Sequence, residues 1–322
     1  MKPNESNACS GRFSDWLEVL LTDKCNGSCS WCVEKNGYHP DSHASWKDIC
    51  IAAIKTDAKN IMLLGGEPTT YEYLKDVISL LRDTGRKVWL TSNAGLLTRE
   101  FVIDNLGGLS GINLSIHNHD LSINSKITGV RIEHHVLSDA VDQLHQYGAS
   151  VRLNCNCIAG SIDNENQAQN YIQFAKSLSA NSIKFGELKG DRENFIDLCD
   201  IFGIEFGLNN DPFTLGCRRD TIIDGMRIDF RQMCGIQTSY RPMPIDPEQI
   251  INPVLYYDAV LYNGWQTRER GRIMTAKELV KILEDVKNGK ISVDDAVYTI
   301  GMEHAVALGN SEPSGSGAGC RY

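Results

Sequence analysis

The chain has 322 residues, of which 42% are hydrophobic and 23% charged, with a formal net charge of −9. That length accommodates one large domain and a smaller appendage around a substantial core. The acidic balance, with a pI near 5.4, offers no long-range attraction to nucleic acid or anionic membranes and argues against a nucleic-acid binder. The sequence has no apolar run of about 18 residues that would cross a bilayer. Met1 to Ser14 has no apolar signal core, so a cytoplasmic location is expected. Eleven cysteines in a reducing compartment read as metal ligands, catalytic thiols or small buried residues rather than disulfides.

Strand-like and helix-like stretches alternate from Asp15 to about Gly203. Trp16–Leu21 is apolar and β-rich, and Ser45 is placed to cap a helix running to Thr56. Asn60–Leu64 is a short strand ending in Gly-Gly, followed by a helical stretch from Thr70 to Arg82. Lys87–Thr91 is a strand and Thr98–Leu106 a helix. Ile112–Ile116 is a strand and His135–Tyr147 a helix. Val151–Cys157 is a strand and Glu165–Leu178 a helix, and Ser182–Phe185 and Arg192–Phe202 complete the series. Six consecutive βα units imply a parallel sheet with helical crossovers. The expected fold is α/β, a partial (β/α)6 TIM-like barrel with a small irregular and helical C-terminal extension, and its site lies at the C-terminal ends of the strands. The expected boundaries are a flexible N-terminus over 1–14, the barrel over 15–207, the extension over 208–308 and a flexible tail over 309–322. Within the extension, Thr275 and Glu278 fit a capping box for a helix Ala276–Lys287, and a second helix spans Val293 to Ala307.

Strand alternation sorts the side chains into two faces. Over 151–157, Val151, Leu153, Cys155 and Cys157 share one face and Arg152, Asn154 and Asn156 the other. Over 112–117, Ile112, Leu114 and Ile116 oppose Asn113, Ser115 and His117. The apolar faces are expected against the outer helices and the polar faces inside the barrel. Cys155 and Cys157 are then packing residues, and Arg152, Asn154, Asn113 and His117 line a cavity, with Lys184 and Glu18 as further members.

The strongest chemical signal is Cys25-Asn-Gly-Ser-Cys29-Ser-Trp-Cys32, directly after the first strand. Three thiolates so spaced converge on one compact metal centre, and soft sulfur ligands select an iron–sulfur cluster, zinc or Cu(I). In a cubane, three protein ligands leave one iron open. Structural zinc wants four closed ligands, for which His39 and His43 are the nearest candidates.

This pattern resembles the radical S-adenosylmethionine (SAM) superfamily. Leu64-Gly65-Gly66-Glu67-Pro68 looks like its GGEP motif, and Thr91-Ser92-Asn93-Ala94-Gly95 looks like its T-x-N-G segment. Asn113–His117, Ile127-Thr128-Gly129 and Val151–Asn154 are similar to the molybdopterin-precursor cyclase branch. The resemblance implies a [4Fe–4S] cluster on Cys25, Cys29 and Cys32, with SAM at the open iron, cleaved reductively to a 5′-deoxyadenosyl radical. It further implies that Gly65, Gly66, Glu67 and Pro68 meet the methionine end of SAM and Trp31 its adenine. Ser92, Asn93 and Ser115 would make polar contacts to SAM, and Arg152 and Asn154 would complete the cofactor and substrate site. Ordinary βα turns, helix capping and packing account equally for many of these residues taken singly.

The resemblance also has gaps. Glu18 and Met62 stand where the cyclases carry basic residues that grip GTP, and a glutamate repels a triphosphate, so GTP cyclisation is not expected. Cys217 and Cys234, with Cys320 and Cys199 as additions, are read as ligands of a second iron–sulfur cluster, as catalytic thiols returning a hydrogen atom, or as buried residues. The arginines from Arg218 to Arg241 could bind a carboxylate or phosphate, but with Asp220, Asp224 and Asp229 interleaved they read as a solvated, salt-bridged surface. The expected function is hydrogen abstraction from a small polar metabolite or nucleoside-like substrate, with a flavodoxin or ferredoxin as electron donor. Alternatives are a peptide maturase or epimerase and, from another class, a non-catalytic metal-stabilised binding protein.

Overall fold

A computed structural model describes residues 15–35, 37, 39–188, 194–204, 218–231, 253–263, 265, 281 and 284–290. Six strands run parallel in chain order: β1 (Trp16–Leu20), β2 (Asn60–Leu64), β3 (Lys87–Ser92), β4 (Gly111–Ser115), β5 (Ser150–Asn156) and β6 (Ser182–Gly186). Helices α1 (Trp46–Ile54), α2 (Leu74–Asp83), α3 (Arg99–Asn105), α4 (Leu121–Thr128), α5 (His134–Gln146), α6 (Glu165–Ser177) and α7 (Leu198–Phe202) connect them or follow them.

Local chemistry accounts for most helix starts. The Asp48 amide donates to Ser45 Oγ at 3.2 Å, Phe101 N to Thr98 Oγ1 at 3.1 Å, and Gln167 N to Asn164 Oδ1 at 3.1 Å. Each cap satisfies an amide that the first helical turn cannot. α5 buries Leu137, Ala140, Val141 and Leu144, the spacing of one helical face.

Three elements differ from the sequence reading. The stretch after β2 opens as a short 3₁₀ turn, Pro68–Thr70, and α2 begins only at Leu74. The last helix before Gly203 is described only over Leu198–Phe202, starting where Asp197 accepts from the Cys199 amide. α4 is new: Asp120 caps it and Gly129, in the left-handed conformation at φ 73°, ends it. Its apolar residues are too few and too scattered to announce a buried helical face.

The sheet also continues beyond residue 208. β7 (Arg218–Ile223) and β8 (Met226–Arg231) form an antiparallel hairpin, and β8 pairs parallel with β6. The hairpin turns at Asp224-Gly225, both at positive φ (50° and 78°), as such two-residue loops require. On the opposite edge β9 (Pro253–Leu255) pairs parallel with β1, and β10 (Leu261–Asn263) antiparallel with β9. Among the described residues the order is β10-β9-β1-β2-β3-β4-β5-β6-β8-β7, an open partial barrel. The helices expected over Ala276–Lys287 and Val293–Ala307 lie largely outside the described residues; of them, 281 and 284–287 are helical.

The two faces of the sheet divide as the alternation implies. Leu17, Val19, Ile61, Leu63, Val88, Leu90, Leu114, Leu153, Cys155, Phe185 and Phe230 are fully buried in the core shared with the helices. On the other face the parallel registers align side chains into rows. Glu18, Met62, Trp89 and Gly111 form the lowest row. A Cβ at Gly111 would lie 2.3 Å from the Trp89 ring, so the glycine makes room for an indole that floors the barrel. Above it lie Thr91, Asn113, Arg152 and Ser182, then Ser115, Asn154, Lys184 and Asp229.

Candidate functional site

The cysteine loop leaves β1 and is tied to the turn after β2 by backbone hydrogen bonds. Gly66 N donates to Thr22 O and Glu67 N to Lys24 O, both at 2.7 Å. A Cβ on Gly65 would stand 2.6 Å from Thr22 O, and one on Gly66 2.3 Å from Lys24 O. The two glycines are thus required by the close approach of the chain that leads into the triad. Gly65 also sits at φ 155°. Pro68 then opens the 3₁₀ turn.

Glu67 is buried and fully engaged. Its Oε1 accepts from Thr69 N (3.1 Å), Thr69 Oγ1 (2.6 Å) and Ser92 Oγ (2.8 Å), and its Oε2 from Asn93 N (2.7 Å). Burial pushes its carboxyl up, and these donors oppose the shift. The carboxylate clamps the end of β2 to the end of β3, which sets Asn93 beside the cysteines. Asn93 Nδ2 donates to Asn26 Oδ1 at 2.7 Å and lies 3.9 Å from Cys25 Sγ, while its Oδ1 accepts from Gly95 N at 2.9 Å.

The far side of the loop rests on the end of α4. Ser28 N donates to Thr128 O at 2.7 Å, and Cys29 Sγ lies 3.9 Å from the same carbonyl. A Cβ on Gly129 would stand 2.2 Å from Ser28 Oγ. The loop is therefore held by β1, β2, β3 and α4 at the C-terminal mouth of the sheet.

The thiols themselves fit a cluster. Cys25 is exposed, and Cys29 and Cys32 are half-buried. Gly27 N donates to Cys25 Sγ at 3.3 Å and Lys35 N to Cys32 Sγ at 3.5 Å, and at Cys25 burial outweighs the Gly27 contact and pushes the thiol up. Burial, with repulsion from Cys32 and Cys25, pushes the Cys29 thiol up to about 11. Among the described residues no group of three His, Cys, Asp or Glu side chains is arranged to hold a single metal ion. A cubane, whose sulfur ligands are spread by the width of the cluster, does not need such convergence. His39 and His43, the zinc alternatives, are engaged elsewhere: His39 Nδ1 lies 3.2 Å from Tyr257 Oη, and His43 Nε2 lies 3.3 Å from Asp23 Oδ1. The donor set thus suits a thiolate-bound cluster.

Trp31 meets the ring of His117 edge-on, with centroids 5.7 Å apart. His117 lies just past the end of β4. Its Nδ1 accepts from Asn156 N at 3.1 Å, which leaves the ring proton on Nε2. Burial, aided by the Lys184 charge, pushes this imidazole down to about 4, so it is neutral. Thr91, Asn113 and Met62 form a contiguous polar and sulfur contact, with Asn113 Nδ2 donating to Thr91 Oγ1 at 3.0 Å. The Oδ1 atoms of Asn113 and Asn154 are buried with no hydrogen-bond partner among the described residues. On β1, Glu18 Oε2 accepts from the Trp265 indole N–H at 2.5 Å.

The structure thus brings Cys25, Cys29, Cys32, Trp31, Gly65, Gly66, Glu67, Pro68, Ser92 and Asn93 to one end of the sheet. Ser115, Arg152 and Asn154 line its interior. Cys155 and Cys157 are buried on the helix side, as the alternation implied. Cys217, Cys234 and Cys320 lie outside the described residues. The sequence reading missed Asn26 and the brace from Thr128 as supports of the loop. It also placed Asp229 on a solvated surface, whereas the residue is buried at 4% exposure inside the barrel. Within β8 a strict polar–apolar alternation, Arg227, Asp229 and Arg231 against Ile228 and Phe230, was the available signal.

Residues 19–175 match the model of the radical SAM superfamily. The chain is 29% identical over 208 residues to a probable GTP 3′,8-cyclase of Sulfolobus acidocaldarius, covering 62% of this chain and 66% of that one, just under two thirds of its length. It is 24% identical over 278 residues to the GTP 3′,8-cyclase of Campylobacter lari, covering 78% and 83%. It is 25% identical over 200 residues to an S-adenosylmethionine-dependent nucleotide dehydratase of Lacinutrix mariniflava, covering 58% and 41%. Among solved structures it is similar to Streptococcus suis SuiB bound to precursor peptide SuiA, with a TM-score of 0.46 and 20% identity over 55% of this chain and 40% of that one. With the motifs gathered at the mouth of an open parallel barrel, and with the superfamily model matching residues 19–175, the chain carries a radical SAM domain, the domain of a superfamily of SAM-dependent iron–sulfur enzymes.

Proposed function

We propose that Cys25, Cys29 and Cys32 hold a [4Fe–4S] cluster with one iron left for SAM, and that the enzyme removes hydrogen from a small polar or nucleoside-like metabolite. The reading is carried by one arrangement: backbone hydrogen bonds tie the segment that leads into the three cysteines to the Gly65-Gly66 turn, and the Glu67 carboxylate ties that turn to Ser92 and Asn93 at the same mouth of the sheet. The cluster and SAM together supply the reductive cleavage that yields the 5′-deoxyadenosyl radical. This chain's residues position and shield: Glu67 holds the two turns together, and the α4 terminus supports Ser28. Trp31 and His117 form an aromatic wall beside the loop. The exposed Cys25 suits electron entry from an external flavodoxin or ferredoxin, which fits a reducing, cytoplasmic setting. No helix among the described residues is long and apolar enough to cross a membrane.

Relatives named for GTP cyclisation and nucleotide dehydration support a nucleoside-like substrate. Glu18, bonded to Trp265, and Met62 stand where the resemblance assigns basic contacts to GTP, so a substrate other than GTP fits better. Anaerobic reconstitution tests the reading. The protein is expected to gain iron, sulfide and a visible absorption that bleaches with dithionite, and to release 5′-deoxyadenosine from SAM. Cys29→Ala is expected to lose all of these; retention of SAM cleavage in that variant would overturn the assignment.

A further inference from the structure

Resting on that reading, we propose that His117 is a specificity-determining residue, whose Nε2–H donates to an uncharged acceptor, a carbonyl oxygen or ring nitrogen, on a heteroaromatic base of the substrate. The residue lies just past β4, on the interior side shared by Asn113 and Ser115. The alternate residues Ile112, Leu114 and Ile116 are fully buried in the core with the helices.

The imidazole is held from several directions. Its backbone N–H donates to Asn124 Oδ1 at 2.8 Å, and its carbonyl accepts from Ser161 Oγ at 2.9 Å. The preceding carbonyl, of Ile116, accepts from Tyr171 Oη at 2.6 Å. Ring Nδ1 accepts from Asn156 N at 3.1 Å, which leaves the proton on Nε2. These partners come from α4, α6, the end of β5 and the turn after it. A donor whose position and tautomer are set before a ligand arrives loses little freedom on binding.

The donor is also unused. No described residue accepts from Nε2, and the atom is not one of the sealed, partnerless ones such as Asn113 Oδ1. It therefore opens on the interior of the barrel, although His117 is only 6% exposed. That interior has room. Met62, Thr91, Arg152, Asn154 and Lys184 face it and are half-buried, whereas the alternating residues of the same strands are fully buried on the helix side.

The chemistry of the donor selects the ligand. With its ring pushed down to about 4 by burial and the Lys184 charge, His117 offers one uncharged N–H at neutral pH. Such a group suits a neutral acceptor. The Trp31 indole stands beside it, with centroids 5.7 Å apart and planes at 80°, and a flat base gains from stacking on an aromatic side chain. By the resemblance, the turn after β2 takes the methionine end of SAM. His117 is bonded instead to the end of β5 and feels the charge of Lys184 on β6. It thus faces the part of the cavity left to the substrate.

The test is equilibrium dialysis of anaerobically reconstituted, unreduced protein, saturated with SAM, against adenosine, guanosine, cytidine and uridine. Methyl β-ribofuranoside supplies the sugar without a base. Wild type is expected to bind at least one nucleoside more tightly than the riboside. His117→Phe keeps a ring against Trp31 but has no donor, and is expected to weaken that nucleoside about three- to tenfold, the loss of one neutral hydrogen bond. His117→Gln restores an N–H near the Nε2 position and is expected to bind more tightly than His117→Phe. The loss is expected to be larger for the nucleoside than for SAM. In wild type labelled with ¹⁵N-histidine, the Nε2 resonance of His117 is expected to shift when the nucleoside is added, a readout that needs no variant to fold. Absence of nucleoside binding, equal affinities in wild type and His117→Phe, or an unmoved Nε2 resonance overturns the proposal. A loss of SAM affinity as large as that of the nucleoside assigns the donor to the cofactor and overturns it too. Release of 5′-deoxyadenosine by the same wild-type samples separates the two readings. SAM cleavage without nucleoside binding refutes the role of His117 alone, and nucleoside binding that depends on His117 without SAM cleavage refutes the proposed function alone.

Discussion

A neutral imidazole inside the barrel has a consequence for pH. The unfolded chain protonates His117 near 6.5, but the folded chain does so only near 4, because burial and the Lys184 charge oppose the cation. Between those values the unfolded state binds more protons, so stability falls as pH falls through this window and is fully present above it. The contribution is about 3 kcal/mol at most. Urea unfolding of wild type and His117→Gln at pH 7 and pH 4.5 checks this: wild type should lose more stability on acidification than the variant. Glu67 gives a second residue-scale prediction. Its carboxylate accepts from Thr69, Ser92 and the Asn93 amide. Glu67→Ala leaves those buried donors unsatisfied and is expected to cost about 1–3 kcal/mol or more. Chemical denaturation reads the cost, and reconstituted iron content reads the accompanying loosening of Asn93.

At the scale of elements, α4 matters more than its weak amphipathicity suggested. Its last carbonyl and its left-handed Gly129 support the cysteine loop from a position a hundred residues away in sequence. Gly129→Ala combines a left-handed backbone with a Cβ 2.2 Å from Ser28 Oγ. The variant is expected to keep its far-ultraviolet circular dichroism but to bind substantially less iron on reconstitution. Wild-type iron content in this variant would show that α4 does not support the loop. The Ile127-Thr128-Gly129 motif was legible as sequence, but its purpose was not, because the brace is made by backbone atoms that carry no sequence signature. The same holds for Thr22 and Lys24, whose carbonyls receive the Gly66 and Glu67 amides.

For the molecule as a whole, the described strands after residue 208 belong to the same sheet as the first six. β9 covers the free edge of β1, and Leu20, Val254, Tyr256 and Tyr257 form a small core there, separate from the main one. Tyr257 also reaches the segment after the triad: His43 stacks on its ring at 4.4 Å and Ala44 N donates to its carbonyl. Tyr256→Ala, at a site 1% exposed, is expected to destabilise the protein by about 3–5 kcal/mol. Urea unfolding followed by tryptophan fluorescence would measure it, and an unchanged midpoint would show that this edge is not part of the cooperative fold.

Hydrophobic periodicity, glycine turns and the cysteine spacing by themselves determined the six βα units, the two faces of each strand and the identity of the chemical loop. These are local properties: strand alternation, capping and ligand spacing act within a few residues of one another. Only the tertiary structure decided how the units meet. It turned an arginine-rich stretch into a strand with Asp229 inside the barrel, and it joined β9 to β1. It also revealed that Gly65 and Gly66 are demanded by the carbonyls of Thr22 and Lys24. Those outcomes depend on strand register and on backbone contacts between distant segments, and no periodicity within one segment encodes which partner it will face.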